Sequence, residues 1–237
     1  MNRIVTMLLK NIFFLPMAFW KLCRYARHPE RYAESEMYAH IQRVVNKAIK
    51  AGNVTLQVSG QENIPAEGGF LLYGNHQGMF DILAIVSTCD QPLGAVLKIE
   101  LKDKPLIKQV VACTKSFPMD RSDVRQSLTV IQNVTREVSN GRNYLIFPEG
   151  TRSKTSNSLL EFHNGSFRCA IKSKRPVVPI ALVDCYKVLD QKGSKPLTVQ
   201  IHYLQPIPYE EYKDMNTKEL AALVRSRIEA KVQSCLH

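Results

Sequence analysis

His76 and Asp81 are the first residues in this sequence that could do chemistry together. They stand five apart in Asn75-His76-Gln77-Gly78-Met79-Phe80-Asp81. On an ideal helix that spacing would turn them about 140° apart, onto different faces. They meet only if His76 sits in a strand-to-helix turn and Asp81 in the first helical turn. Gly74 and Gly78 permit such a turn. Asp81 could then hold one imidazole nitrogen and fix the tautomer, leaving the other nitrogen as a base. This is triad logic without a nucleophile from the protein. A bare His-x4-Asp is also compatible with a polar histidine in a surface loop.

A second cluster, Phe147-Pro148-Glu149-Gly150-Thr151-Arg152-Ser153, follows an apolar run that reads as a strand. The carboxyl end of a strand is where α/β sheets place ligand sites. Arg152 offers a planar fork for phosphate, and Glu149 can accept from a hydroxyl or orient the arginine. Taken alone, the segment also fits an ordinary loop.

The elements that must position these residues follow from periodicity. Val54, Leu56 and Val58 alternate with polar residues, predicting a strand over 54–59. Residues 70–73 predict a short buried strand, followed by a helix through Ile82, Leu83, Ile85 and Val86. Further strands are expected at 93–97, near Phe117, and at 143–147, 177–183 and 198–202. A helix is expected at 105–112. Another runs from Ser122 as N-cap to Asn140-Gly141, and a last one starts from the capping box Asn216-x-x-Glu219. Strands alternating with helices predict an α/β fold with a mixed, substantially parallel sheet flanked by helices.

The 237 residues carry a net charge of +11, with 45% hydrophobic and 22% charged residues. That balance excludes a disordered chain or a multi-span membrane protein, and the excess charge favours anionic partners. A basic nucleic-acid-binding domain would suit the charge, but no aromatic-interleaved basic motif or helix-turn-helix pattern accompanies it. No nucleic acid is therefore expected as partner. Cys23, Cys89, Cys113, Cys169, Cys185 and Cys235 form no Cys-x-x-Cys pair and no zinc-type cluster with histidine. Reduced structural thiols, no metal and no cofactor are expected. His163 and His202 have no partner motif and read as structural.

Residues 1–52 hold nine basic and three acidic residues, more than half of the excess charge. Ile4 to Trp20 is apolar but split by Lys10. No small-x-small cleavage site follows, which argues against a signal peptide. A lysine near the middle also argues against a spanning helix. As one helix, Arg3, Thr6, Lys10, Lys21 and Arg24 would share a stripe, interrupted by Phe14 and Met17, with a kink expected at Pro16. An interfacial helix is expected, with a helix packed on the protein's own core as the alternative, followed by a second helix over 32–51. The division is thus 1–52, a two-helix membrane-associating hairpin, and 53–237, the main domain with its C-terminal helix.

Together the two motifs resemble the 1-acyl-sn-glycerol-3-phosphate acyltransferase family, in its bacterial type. Asn75-His76 to Asp81 is similar to its NH-x4-D catalytic motif, and Phe147 to Ser153 to its FPEGTRS motif. Lys98-x-Glu100-Leu101 with Pro105 resembles its K-x-E-L…P segment, and Val178-Pro179-Ile180 its later V-P-[IV] motif. Where the family reads Gly-x-x-Phe-x-x-Arg, Arg121 fits but the glycine is replaced and Pro118 intrudes. The resemblance implies His76 and Asp81 as catalytic residues. It implies Lys98, Arg121, Glu149, Gly150, Thr151 and Arg152 as substrate-binding. The implied reaction moves a fatty acyl group from an acyl thioester, on acyl carrier protein or coenzyme A, to the 2-hydroxyl of lysophosphatidic acid. Phosphatidic acid results, as in phospholipid biosynthesis. The hydroxyl itself attacks the thioester, so no Ser or Cys nucleophile is needed. Glycerol 3-phosphate or another lysophospholipid as acceptor remains open, as does water, which would make a thioester hydrolase. An anionic membrane surface is the expected partner. The expected location is the cytoplasmic face of the cell membrane, peripheral or monotopic.

Overall fold

The computed structural model describes residues 3–153, 155–191 and 193–236. The chain runs α1 (Arg3–Lys10), α2 (Leu15–Arg27), α3 (Glu34–Ala51), β1 (Val54–Ser59), β2 (Leu71–Gly74), α4 (Asp81–Thr88), β3 (Leu93–Lys98), α5 (Ile107–Thr114), β4 (Phe117–Met119). It continues α6 (Val124–Ser139), β5 (Asn143–Ile146), α7 (Arg168–Ser173), β6 (Val177–Val183), α8 (Tyr186–Leu189), β7 (Leu197–Tyr203), α9 (Tyr209–Tyr212), α10 (Thr217–Ser234). The seven strands form one sheet in the order β1-β7-β6-β2-β5-β3-β4. Every pairing is parallel except β6 with β7.

The central strands are buried on both faces, as parallel strands covered by crossover helices must be. Successive side chains alternate between two cores. Leu72, Leu145, Val178, Ile180 and Leu182 face the side built by α1 to α5. Leu71, Tyr73, Tyr144, Ile146, Val177 and Ala181 face α6, α7 and α10. The result is a three-layer α/β/α sandwich. Met7, Leu22, Tyr25, Met37, Ile41 and Val45 belong to the first core, so residues 3–52 pack continuously with the sheet.

Three local expectations change. The N-cap of α6 is Asp123, whose side chain accepts from the N–H of Arg125 and Gln126. Ser122 is turned away, with its N–H and Oγ both donating to Asp120. The N-terminal helix is two helices bent by 87°, with the break at residues 11–14 and Pro16 inside the first turn of α2. Among the described residues no single helix is long and apolar enough to cross a membrane, although the bent pair is jointly. Finally, Arg3 is not on a solvent-facing cationic stripe. It is 5% exposed, and its guanidinium donates to the carbonyls of Val188 (3.1 Å), Gly52 (2.5 Å) and Lys195 (2.9 Å). Two of these oxygens lie at the carboxyl ends of α8 and α3, where helices leave carbonyls unpaired and a cation is favoured.

Candidate active site

β2 ends at the carboxyl edge of the sheet, and Asn75 prolongs it. Its side chain donates to the carbonyl of Leu182 (2.9 Å) and accepts from that residue's N–H (2.8 Å), copying a strand pairing onto β6. The chain then turns sharply into α4, whose first residue is Asp81. Asp81 is fully buried and sits where the positive end of the helix dipole favours a carboxylate. Its Oδ2 accepts from the N–H of Gln77 (2.6 Å) and Gly78 (2.9 Å) and lies 2.7 Å from His76 Nδ1. Burial pushes the Asp81 carboxyl above its ordinary range, while the His76 contact and the two backbone donors pull it back.

A carboxylate can only accept, so Nδ1 of His76 carries the proton and Nε2 is the nitrogen left to act as base. The imidazole is stacked on Phe147, ring centroids 4.3 Å apart at 16°, and its side chain is 22% exposed. The turn geometry expected from the spacing is therefore present. Gly78 is closely packed: a Cβ there would stand 2.5 Å from Asp190 Oδ2, which would have to move, and 3.1 Å from the Tyr186 Cα.

Glu149 differs from the expectation. It is 2% exposed, and its carboxylate is engaged by backbone N–H groups while Arg152 pairs with Asp190. One carboxylate oxygen accepts from the backbone N–H of His76 (2.9 Å) and the other from that of Leu160 (3.2 Å). A buried carboxylate must satisfy both oxygens, and these donors do so. Burial raises the Glu149 carboxyl, opposed by the same two donors. Its place is to brace the turn that carries the base. The N–H of Ser153 adds a further brace on the carbonyl of His76 (2.7 Å).

The cations fall into two groups. Arg152, half exposed, has Nη1 3.4 Å from Asp190 Oδ1. Arg121 reaches toward Gly150: its Nη1 lies 3.8 Å from where a Cβ on that glycine would be. Arg121 and Arg152 thus flank the Gly150–Thr151 turn, and Thr151 itself is exposed. Gly150 has φ +70°, and a Cβ would meet the His163 ring at 2.8 Å, so glycine is needed twice over. Lys98 is held in an exposed ion pair with Glu100 (2.7 Å), the same carboxylate whose charge acts on Arg121. Asp190 and His163 were missed by sequence reading. Neither has a motif, and only the fold brings them to the turns of Gly78 and Gly150. His202 lies away from this group, beside Ser59, Gln200 and Cys235. Among the described residues no group of three or more His, Cys, Asp or Glu side chains is arranged to hold a metal ion.

A base held by a buried carboxylate, next to two arginines at a strand-end turn, can deprotonate a hydroxyl on an anionic molecule. The Acyltransferase family model matches residues 55–183, more than half of the chain and inclusive of both turns. The 1-acyl-sn-glycerol-3-phosphate acyltransferase of Salmonella typhimurium is 27% identical over 166 residues, covering 70% of this chain and 67% of that protein. The enzyme of that name from Borreliella burgdorferi is 24% identical over 183 residues, covering 76% and 73%. The crystal structure of the 1-acyl-sn-glycerophosphate (LPA) acyltransferase PlsC from Thermotoga maritima matches with a TM-score of 0.73 over 97% of both chains. At 19% identity that match is one of fold. On the dyad, the braced strand-end turn and the extent of the family match, this chain belongs to the Acyltransferase family.

Proposed function

We propose that this acyltransferase takes a fatty acyl group from a thioester, on acyl carrier protein or coenzyme A, and transfers it to the 2-hydroxyl of lysophosphatidic acid. The observation that carries the reading is the His76–Asp81 pair at 2.7 Å beside Arg121 and Arg152. His76 Nε2 removes the hydroxyl proton as the oxygen attacks the thioester carbonyl. The tetrahedral intermediate collapses, the carbon–sulfur bond breaks, and the imidazolium returns the proton to the leaving thiolate. Asp81 orients the ring and stabilises the imidazolium. A positioned base of this kind contributes about 10²–10⁴-fold. The two arginines hold the acceptor's phosphate.

Location at the cytoplasmic face of the membrane is part of the same proposal. Leu8, Leu9, Ile12, Phe13, Met17 and Trp20 are exposed around the bend between α1 and α2, Phe13 almost entirely. Lys10, Lys21, Arg24 and Arg27 are exposed beside them. A greasy corner ringed by cations suits the headgroup boundary of an anionic leaflet.

A purified-enzyme assay with one labelled thioester and a panel of acceptors tests the reaction. Lysophosphatidic acid should be acylated faster than glycerol 3-phosphate or a lysophosphodiester. Preference for another acceptor overturns the assignment of the acceptor, and equal thioester loss without any acceptor makes the protein a hydrolase. Vesicle sedimentation tests the location. Point substitutions serve better than deletion, because α2 buries Ala18, Leu22 and Tyr25. Phe13→Asp with Trp20→Asp should release the protein from anionic vesicles; full sedimentation of that variant overturns the anchor.

A further inference from the structure

A second exposed apolar group lies at the catalytic edge of the sheet. The segment between β3 and α5 carries Leu101 (38% exposed) and Leu106 (50% exposed), and the start of α6 carries Val124 (71%) and Leu128 (38%). Val124 and Leu128 are one turn apart on the same helix face. β3 and β4 are parallel to β2 and β5, so residues 99–106 and 120–124 leave the sheet at the edge that holds His76 and Gly150. Met79, within the dyad turn, is also half exposed there.

Three features separate this group from scattered surface leucines. Leu106 has φ 73° and ψ −51° at the N-cap of α5, a region that a side-chain-bearing residue enters only under strain. The strained backbone presents this leucine to solvent, so burial does not account for it. Lys102, Lys104 and Lys108 are exposed around it and outnumber Asp103, so Leu106 sits in a positive setting, whereas Val124 lies between Asp123 and Arg125. Finally, α5 packs against α2, which joins this segment to the helix bearing Met17 and Trp20.

We propose that the 99–106 segment and the start of α6 form a second contact with an anionic bilayer leaflet, with Leu106 and Val124 as its inserting points. The inference rests on the membrane location proposed above and adds to it. One apolar corner would leave the protein free to pivot on the surface. A second point of insertion fixes the catalytic edge against the leaflet, so an amphiphilic acceptor reaches His76 without leaving its headgroup layer. The lysines supply the complementary charge.

Fluorescence of a placed tryptophan tests this. Leu106→Trp and, separately, Val124→Trp are made with Trp20→Phe, which removes the chain's one native tryptophan. The probes are vesicles of phosphatidylglycerol and phosphatidylcholine brominated on their acyl chains. Both tryptophans should shift to the blue and be quenched about twofold or more on vesicle addition. A control tryptophan at Glu62, beyond the far end of β1, should not respond. Leu106→Glu with Val124→Glu should weaken vesicle affinity by roughly tenfold or more. Its rate on a monomeric short-chain acceptor should stay within about twofold, because neither side chain belongs to the dyad or the arginine pair. Unquenched tryptophans in protein that sediments with vesicles overturn this contact alone. Failure of the unaltered chain to sediment overturns the membrane location and this contact with it. A shift that needs acyl thioester or high protein concentration instead of lipid assigns the surface to the donor or to a second copy, and likewise overturns the proposal.

Discussion

Asp81→Asn should lower kcat by about 10²–10³-fold, and the surrounding hydrogen bonds say why the loss is not larger. Oδ2 of Asp81 accepts from two backbone N–H groups as well as His76 Nδ1. Backbone donors cannot reverse, so the asparagine must put its oxygen there and its NH2 where Oδ1 was. Oδ1 is buried with no hydrogen-bond partner among the described residues. The tautomer of His76 is therefore kept, whereas a triad replacement that spoils the tautomer costs about 10⁴-fold. What disappears is the charge. A carboxylate about 4 Å from an imidazolium is worth about 4 kcal/mol at an effective dielectric near 20. At about 1.4 kcal/mol per tenfold that is roughly 10³, and the amide dipole recovers part of it. Folding should change little. The unsatisfied NH2 costs about 1–3 kcal/mol, and relief of a buried charge offsets some of that. The assay is release of free thiol from the donor under saturating acceptor, with thermal unfolding as control. His76→Ala should abolish nearly all transfer, and adding Asp81→Asn to it should cost nothing further. A single-variant loss below tenfold, or additive losses in the double variant, would refute the dyad.

Glu149→Gln keeps one acceptor but points an NH2 at a backbone donor, so it should destabilise by about 1–3 kcal/mol. It should lower kcat with little change in acceptor KM; a pure KM effect would return Glu149 to substrate contact. Arg152→Lys loses the planar fork and should raise KM for lysophosphatidic acid more than for an acceptor without phosphate. Asp190→Asn frees Arg152 from an exposed pair worth at most about 1 kcal/mol, so KM should fall up to about fivefold; a rise would make Asp190 an acceptor contact. His202 is buried, and desolvation with Lys231 nearby lowers its pKa from 6.5 to about 4. The unfolded chain takes up a proton near pH 6.5 and the folded chain only near 4. Stability should hold above about pH 6.5 and decline by up to about 3 kcal/mol as pH falls to 4. His202→Gln should flatten that decline in urea midpoints measured against pH; an unchanged slope removes His202 as its source.

Local signals carried far. The alternation in Val54, Leu56 and Val58, the capping box at Asn216 and the helix stop at Asn140-Gly141 all have counterparts, because each depends on neighbours in the chain. Gly78 and the His76–Asp81 spacing sufficed to place the dyad in a strand-to-helix turn. Roles set by distant partners were not legible. Whether Glu149 faces a ligand or a backbone amide depends on where Leu160 returns, and nothing near position 149 records that. Helical phase groups Arg3 with Lys10 but cannot say which side meets protein, so a buried cap looked like a surface charge. Ser122 lost the N-cap to Asp123 because Asp120 engages its hydroxyl first. Asp190 and His163 needed the folded sheet to become neighbours of the site at all.

The antiparallel pairing of β6 with β7 has a consequence for how such a site could meet a membrane. β6 runs toward the catalytic edge, and β7 runs back from it, with Val183 opposite Gln200. β1 is parallel to β7, with Val54 opposite Leu197, so both strands begin at the catalytic edge. Gly52 and Lys195, just before those strands, therefore stand beside Val188, just after β6. Arg3 binds all three carbonyls. Had β7 been parallel to β6, Gly52 would lie at the opposite edge, about a strand length away, and no short first helix could reach α8. The reversal places the start of α1 at the edge that carries His76 and Arg152. A buried guanidinium sharing three carbonyls then makes that placement stiff, since removing it would strand helix-end oxygens away from water. The sheet topology, more than any surface residue, is what sets the start of the N-terminal helices at the same edge as the base.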